Sequence, residues 1–477
     1  MNIPKINYIL TLVMVLLAAP AWCGQPHATD SATDPVTDLT TDVIEAWIDE
    51  AQPGSVILLP PGRYNGNLKI TKPIILDGNN QAIIDGQGIG TVIEVYVPGV
   101  TIRRLTVRGS GSNVTTEPAA IKVMAGQCVI EDNTIEDTLF GIDLSDSPDS
   151  IIRRNTIRGM ELHLGRRGDG VRLWWSHGCT VEHNTVSLSR DMVFWYSESL
   201  NISHNKVADS RYGLHFMYSH NTTLAHNELS NNSVGIYLMY SNTISLLDNH
   251  IINNRGASGY GIGLKDCDDI VIERNALLSN RVGIYIDNSP SSMDSTGLIQ
   301  ENMIAFNEIG MLATPNTHNN VVTGNAFIEN EEQAATHGRG ELTNNVFSHD
   351  GRGNFWSDYA GFDRDGNGIG DLPHEPRSLF GKLLAHEPNL RLFIHSPAQK
   401  AIEFTARAVP EFLPKPTLLD PSPLAVPPVI NSPIKIMKLD RWKIAGLGIA
   451  LCALGAGGCL AIGREPRLPT TAERKLG

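Results

Sequence analysis

Charge is scarce in this sequence and leans one way. Asp, Glu, Lys and Arg together make up 19 % of the 477 residues, and the formal net charge is −13. So small a charged fraction excludes a coiled coil, and the acidic balance excludes non-specific binding to a polyanion. A hydrophobic content of 41 % excludes a disordered chain. Cysteine is also thin where it would matter. Of six, Cys23 lies in the leader and Cys452 and Cys459 in a C-terminal apolar run. Cys128, Cys179 and Cys267 remain, with no short pair spacing, which excludes a zinc cluster and a disulfide scaffold. No glycine-rich phosphate-binding loop is present, so any ATP hydrolysis must come from a partner.

The two ends carry addresses. Lys5, an apolar run from Ile6 to Ala19 and the small residues around Ala21 predict a signal peptide over residues 1–23, since the run is too short to span a bilayer. Ile444 to Ile462 is an uncharged stretch just long enough to cross, with Trp442 at its edge. It predicts a transmembrane helix over 442–463 and a cytoplasmic tail over 464–477, tethering a periplasmic body to the inner membrane. A Pro-rich segment at 410–441 reads as an extended stalk leading to it.

Between these ends runs a repeat. Asn133, Asn155, Asn184, Asn205, Asn227, Asn249, Asn275, Asn302, Asn325 and Asn345 follow one another at 20 to 29 residues, each with an apolar residue two positions later. Strict alternation and β-branched inward positions at this period predict an all-β right-handed parallel β-helix over 41–350, not helical repeats. The Asn column marks a bend where side-chain amides bond along the axis. Thr41 to Ala51 is amphipathic and predicts a helical N-terminal cap. Residues 351–409 predict a C-terminal cap, helical from Arg377 to Val409 and broken at Pro388 and Pro397.

Residues one period apart stack, so outward columns can be read off the repeats. Gly170-Val-Arg-Leu-Trp-Trp-Ser, Asp191-Met-Val-Phe-Trp-Tyr-Ser, Gly213-Leu-His-Phe-Met-Tyr-Ser and Gly235-Ile-Tyr-Leu-Met-Tyr-Ser align. Alternation turns Leu173, Phe194, Phe216 and Leu238 inward. It turns Trp174, Trp195, Met217 and Met239 outward, with Arg172, Val193, His215 and Tyr237, while Trp175, Tyr196, Tyr218 and Tyr240 stack at the next bend. Such an aromatic and thioether surface marks a partner-binding face, unless the loop in the long step from Asn155 to Asn184 covers it. Imidazole and thioether ligands suit copper, with thioether favouring the cuprous state. That singles out His215, Met217 and Met239, and after them the column His183, His204 and His226, for which plain solvation is the competing reading.

Asp363-Arg-Asp365-Gly-Asn367-Gly368 matches the first half of a calcium loop, but His374 stands where the twelfth-position Glu belongs. A weak calcium site and an Asp/Gly turn both remain open, with the turn favoured. Cys128 and Cys179 fall two coils apart, beyond disulfide reach, which predicts free thiols. A carbohydrate-active enzyme or glycan-binding module is the alternative function. Its best catalytic set is Asp169 and Arg172 near His177, with Asp143 one coil away.

Two stretches carry a resemblance. Gly353-Asn-Phe-Trp-Ser-Asp-Tyr-Ala-Gly-Phe-Asp-Arg-Asp-Gly-Asn-Gly-Ile-Gly-Asp371-Leu-Pro resembles the segment closing the β-helix of NosD-type periplasmic proteins. Ser396-Pro-Ala-Gln-Lys-Ala401 and Leu419-Asp-Pro-Ser-Pro-Leu424 are similar to that family's C-terminal region. With the repeats, the resemblance covers Thr41 to Leu424. It implies a non-catalytic accessory subunit beside an ABC-type ATPase and membrane permease. The role implied is to help build the copper-sulfide centre of nitrous oxide reductase, with a copper chaperone lipoprotein as donor. It transfers no ligand residues, and the C-terminal span departs from the family's soluble pattern.

Overall fold

The computed structural model describes residues 38–429. The expected signal peptide, transmembrane helix and cytoplasmic tail, and the last part of the Pro-rich segment, lie outside the described residues. Among the described residues no helix is long and apolar enough to cross a membrane.

The chain winds into a right-handed parallel β-helix, as the period predicts. Three sheets of 14, 12 and 12 strands run its length, each strand pairing with its equivalents one coil before and after. Alternation explains why these short segments become strands. In Val171–Trp174, Val171 and Leu173 are buried while Arg172 and Trp174 face outward. A single coil cannot bury its inward face alone, so stacking supplies the core. Phe194 and Phe216 lie face to face at 4.6 Å inside it. Each such side chain contributes about 1.5–3 kcal/mol by leaving water.

The bends hold the register. From Asn133 to Asn302 each Asn of the main ladder is buried and donates both its backbone N–H and its Nδ2 to the Oδ1 of the next; Asn205 does so to Asn227 at 3.0 Å each. The residue before each Asn turns left-handed: Asp132, Arg154, His183, His204, His226, Asp248, Arg274 and Glu301 have φ of 53–57°. That conformation costs a non-glycine residue roughly 1–2 kcal/mol, which the saturated amide column offsets. A second column sits five residues on, where the backbone N–H groups of Asn232, Asn254, Asn280 and Asn307 each donate to the Oδ1 of the next, ending at Asn330. At the third bend Ser147, Ser176, Ser197, Ser219 and Ser241 form a hydroxyl column.

The ladder does not end where the spacing places it. Asn325 donates to Asn354, not Asn345, and Asn345 instead accepts from Asn320 on a neighbouring bend. The last strand is Phe355–Trp356, so the β-helix runs past residue 350. Trp356 closes the core, stacked on Phe327 at 4.3 Å. At the other end the predicted cap is present: helix Asp42–Glu50 sets buried Ile44 and Ile48 over the first coil.

The C-terminal cap contains helices Leu379–His386 and Pro397–Ala408, opened by Ser378 and Ser396 caps, with a 3₁₀ turn Pro388–Phe393 between. Both prolines begin elements, where their missing N–H is harmless. The stalk expectation needs correction over its described part. Leu418 and Asp420 are fully buried, and 420–424 returns to bridge Phe355, Ile369 and His374. Asp420 explains the return. Its carboxylate accepts the Asn354 N–H and the Trp356 Nε1–H, both at 2.8 Å, and so terminates the Asn ladder.

Candidate functional site

Register places the outward columns as the repeats align them. Trp174 pairs with Trp195, Trp195 with Met217 and Met217 with Met239, on four consecutive coils. Lys265 follows Met239 and ends the apolar run. At the adjoining bend Trp175, Tyr196, Tyr218 and Tyr240 stack with centroids 5.0, 5.2 and 5.0 Å apart and planes within 15°. Trp175 is 51 % and Tyr218 41 % exposed. The long loop does not cover this face: its Met160 and Leu162 pack on Ala119, Leu139 and Phe140 instead.

The second outward column departs from expectation. Arg172, Val193, His215 and Tyr237 are in register, yet Val193 and His215 are buried. Neighbouring rings close over His215: Trp195 edge-on at 5.4 Å, Tyr212 at 4.8 Å and Tyr237 parallel at 6.4 Å. Gly263 makes room for Tyr237, since a Cβ there would meet its ring at 2.6 Å. His215 Nδ1 lies 3.3 Å from Asp191 Oδ2. An ionised carboxylate only accepts, so Nδ1 is the nitrogen that donates to Asp191. Burial works to raise the Asp191 pKa, but His215 and Arg211 hold it below the ordinary carboxylate range. Nε2 is buried and has no hydrogen-bond partner, and neither does Trp195 Nε1. Sequence reasoning singled out His215 and missed Asp191. The signal was its substitution for the glycine that Gly170, Gly213 and Gly235 supply in the aligned repeats.

Other candidates are built differently. His183, His204 and His226 stack at 4.6 and 4.9 Å and are exposed. Burial, then the flanking imidazoles, lower the pKa of His204. His177 and His220 each accept a backbone N–H on Nδ1, from Glu198 and Asn242 at 3.1 Å, which puts the proton on Nε2 and occupies both nitrogens. Cys128, Cys179 and Cys267 are free and buried. Burial pushes Cys179 up to about 11 and Cys267 to about 12, so neither offers a thiolate. Among the described residues no three His, Cys, Asp or Glu side chains form a metal-binding cluster.

Of the candidate catalytic set, Arg172 and Asp143 meet, but His177 does not join them. Arg172 is engaged with Asp143 at 2.9 Å through both Nε and Nη2, and with Glu117 at 2.9 Å. Asp169 is buried and His177 lies beyond the opposite end of strand Val171–Trp174. In the Asp363 loop, Asp363 accepts the N–H groups of Gly366 and Gly368 at 2.7 and 2.8 Å, the bonding of an Asp/Gly turn. His374 is buried against Trp356, with centroids 5.0 Å apart.

Comparison with known proteins follows the same outline. Residues 153–361 match the family described as "Periplasmic copper-binding protein (NosD)", and residues 65–186 match "Right handed beta helix region". A "Probable ABC transporter binding protein NosD" of Pseudomonas aeruginosa is 33 % identical, the match covering 74 % of this chain and 84 % of that protein. Its namesake in Stutzerimonas stutzeri is 30 % identical, over 77 % and 86 %. Among solved structures, the A-module of the Azotobacter vinelandii mannuronan C-5 epimerase AlgE6 is similar at a TM-score of 0.49 and 16 % identity, over 66 % of this chain and 96 % of that one.

Proposed function

The chain belongs to the NosD family of periplasmic copper-binding proteins, and from that membership we propose that it is a non-catalytic docking subunit for assembly of the copper-sulfide centre of nitrous oxide reductase. It works beside an ABC-type ATPase and permease and receives a copper chaperone lipoprotein and the reductase on its aromatic face. The relatives' description as ABC transporter binding proteins supports the first association. The absence of a phosphate-binding loop from the sequence assigns energy input to that partner.

The observation that carries the docking role is the stacked ladder Trp175, Tyr196, Tyr218, Tyr240 beside half-buried Trp174, Trp195, Met217 and Met239. Rings stacked about 5 Å apart shield one another's faces and present edges to solvent. Sugars stack on aromatic faces, so this ladder is poorly built for a glycan. Edges and hydroxyls beside thioethers are the chemistry of protein interfaces, where Tyr, Trp and Met are enriched. The cap offers a second surface, with exposed Leu392, Phe393, Phe404 and Phe412, suited to the permease.

The test is photo-crosslinking from position 218 in intact membranes, followed by identification of the captured subunits. Capture of the chaperone or the reductase, lost in the variant Trp175→Ala, is expected. Capture of neither, with copper loading of the reductase unchanged in Trp175→Ala/Tyr218→Ala, would refute the docking role.

A further inference from the structure

We propose that His215, Met217 and Met239 form a cuprous-ion site closed on one side by the indole of Trp195, a point through which the ion passes between partners docked on this face. The inference rests on the docking reading above and names the ligands within it.

Geometry supplies the first argument. His215 and Met217 are two residues apart on strand Tyr212–Met217 and therefore share its outer face. Met239 pairs with Met217 on the next coil and Trp195 with Met217 on the preceding one. Four side chains from three consecutive coils thus occupy adjoining positions. Neighbouring coils lie about 4.8 Å apart, a gap that flexible thioethers readily close.

The donor set supplies the second. His215 Nε2 is buried and has no hydrogen-bond partner, and a buried polar atom without a partner is costly. Asp191 fixes the tautomer through Nδ1, the arrangement in which a carboxylate orients a ligating imidazole. Two thioethers and one imidazole are soft, neutral ligands and select copper(I) over a divalent ion. The surroundings agree. Asp191 is already engaged by Arg211 and His215, so it leaves no anionic ligand for a second positive charge.

Accessibility supplies the third. Met217, Met239 and Trp195 are half-buried while His215 is closed over. The ion therefore has a solvent-facing thioether edge, which a docked partner can reach, and a fixed imidazole behind it.

The experiment uses the full chain in detergent with accessible thiols alkylated. It is titrated anaerobically with copper(I) held by bicinchoninate while tryptophan emission is followed. The wild type should withdraw one ion per chain with a change in emission. Met217→Leu and Met239→Leu, which conserve volume and hence the fold, should each weaken binding by about tenfold or more, on the scale of lost coordination-shell contacts. Trp195→Phe should still bind but lose most of the emission response. Weakened copper binding by the purified Met variants supports the site independently of docking, because no partner is present in that titration. Wild-type affinity in Met217→Leu/Met239→Leu, or a wild-type emission response in Trp195→Phe, overturns it whatever the crosslinks show.

Discussion

Replacing Asp420 by Ala should unravel the β-helix from its C-terminal end. Asp420 is fully buried and closes a chain of amides running from Asn133 to Asn354. Its loss leaves the Asn354 N–H and the Trp356 Nε1–H without an acceptor. Asn354 Nδ2 stays satisfied by the carbonyls of Val322 and Phe347 at 2.8 and 2.9 Å. Hydrogen bonds to a charged group contribute about 1.5–3 kcal/mol each. Part of that is offset because burial of the carboxylate is itself unfavourable, as its raised pKa records. A net cost of about 3 kcal/mol is expected, roughly a hundredfold in a local opening constant. A solenoid frays from its ends, so hydrogen exchange is the right assay. Amides of residues 326–328 and 355–356 should exchange about a hundredfold faster while those of 134–207 keep their protection. Gly353→Ala should act at the same point, since its Cβ would meet Asp420 Oδ1 at 2.0 Å. Unchanged exchange at residues 355–356 in Asp420→Ala, or an equal loss along the whole chain, would refute the capping argument.

Three further outcomes follow from buried polar groups. Burial, and then the neighbouring Asp191, raise the Asp169 pKa to about 7 from 3.8. The folded state therefore holds a proton that the unfolded chain releases, and stability should fall as pH rises from about 4 to 7. Asp169→Asn should flatten that fall in thermal unfolding at pH 5 and 8, by at most about 4 kcal/mol at 1.4 kcal/mol per pH unit; identical pH profiles would contradict it. Asn227→Ala removes the acceptor of the Asn205 N–H and Nδ2 and should cost about 2–4 kcal/mol in urea unfolding, whereas exposed Asn201→Ala should change little. Cys179 and Cys267 should resist a disulfide-exchange reagent at pH 8 until the protein unfolds, because burial keeps both thiols protonated; rapid labelling of the native chain would contradict this.

The local rule of the repeat was legible because every coil states it again. Apolar residues flanking an Asn gave the strands, their register and the outward columns without a single long-range contact. What could not be read were features fixed by one distant residue. Asn345 and Asn354 are each followed two positions on by an aromatic residue, Phe347 and Trp356, and nothing local separates them. The choice is made by Asp420, 66 residues from Asn354 in sequence. The same contact pulls part of a proline-rich segment off its expected path as a stalk. The second Asn column stands a constant five residues beyond the first from Asn227 to Asn325, but on the coils before it Ser189 and Ser210 hold that place, so the pattern does not run the length of the repeat.

Stacking also explains why exceptions to the repeat are more informative than the repeat. Where successive coils carry the same residue type, as in the Asn and Ser columns, the side chains satisfy one another and nothing is left for a partner. Where a coil breaks the pattern, its polar group loses its like neighbour. Asp191 replaces a glycine, and His215 stands between Val193 and Tyr237 in its column. Two such breaks on adjacent coils bring an acid to an imidazole and leave one ring nitrogen without a partner. Because neither coil can shift without moving its whole column to the other face, that pairing is held by the scaffold rather than by loops. A rigid frame is what a site needs if its outer ligands are to exchange while its inner one stays in place.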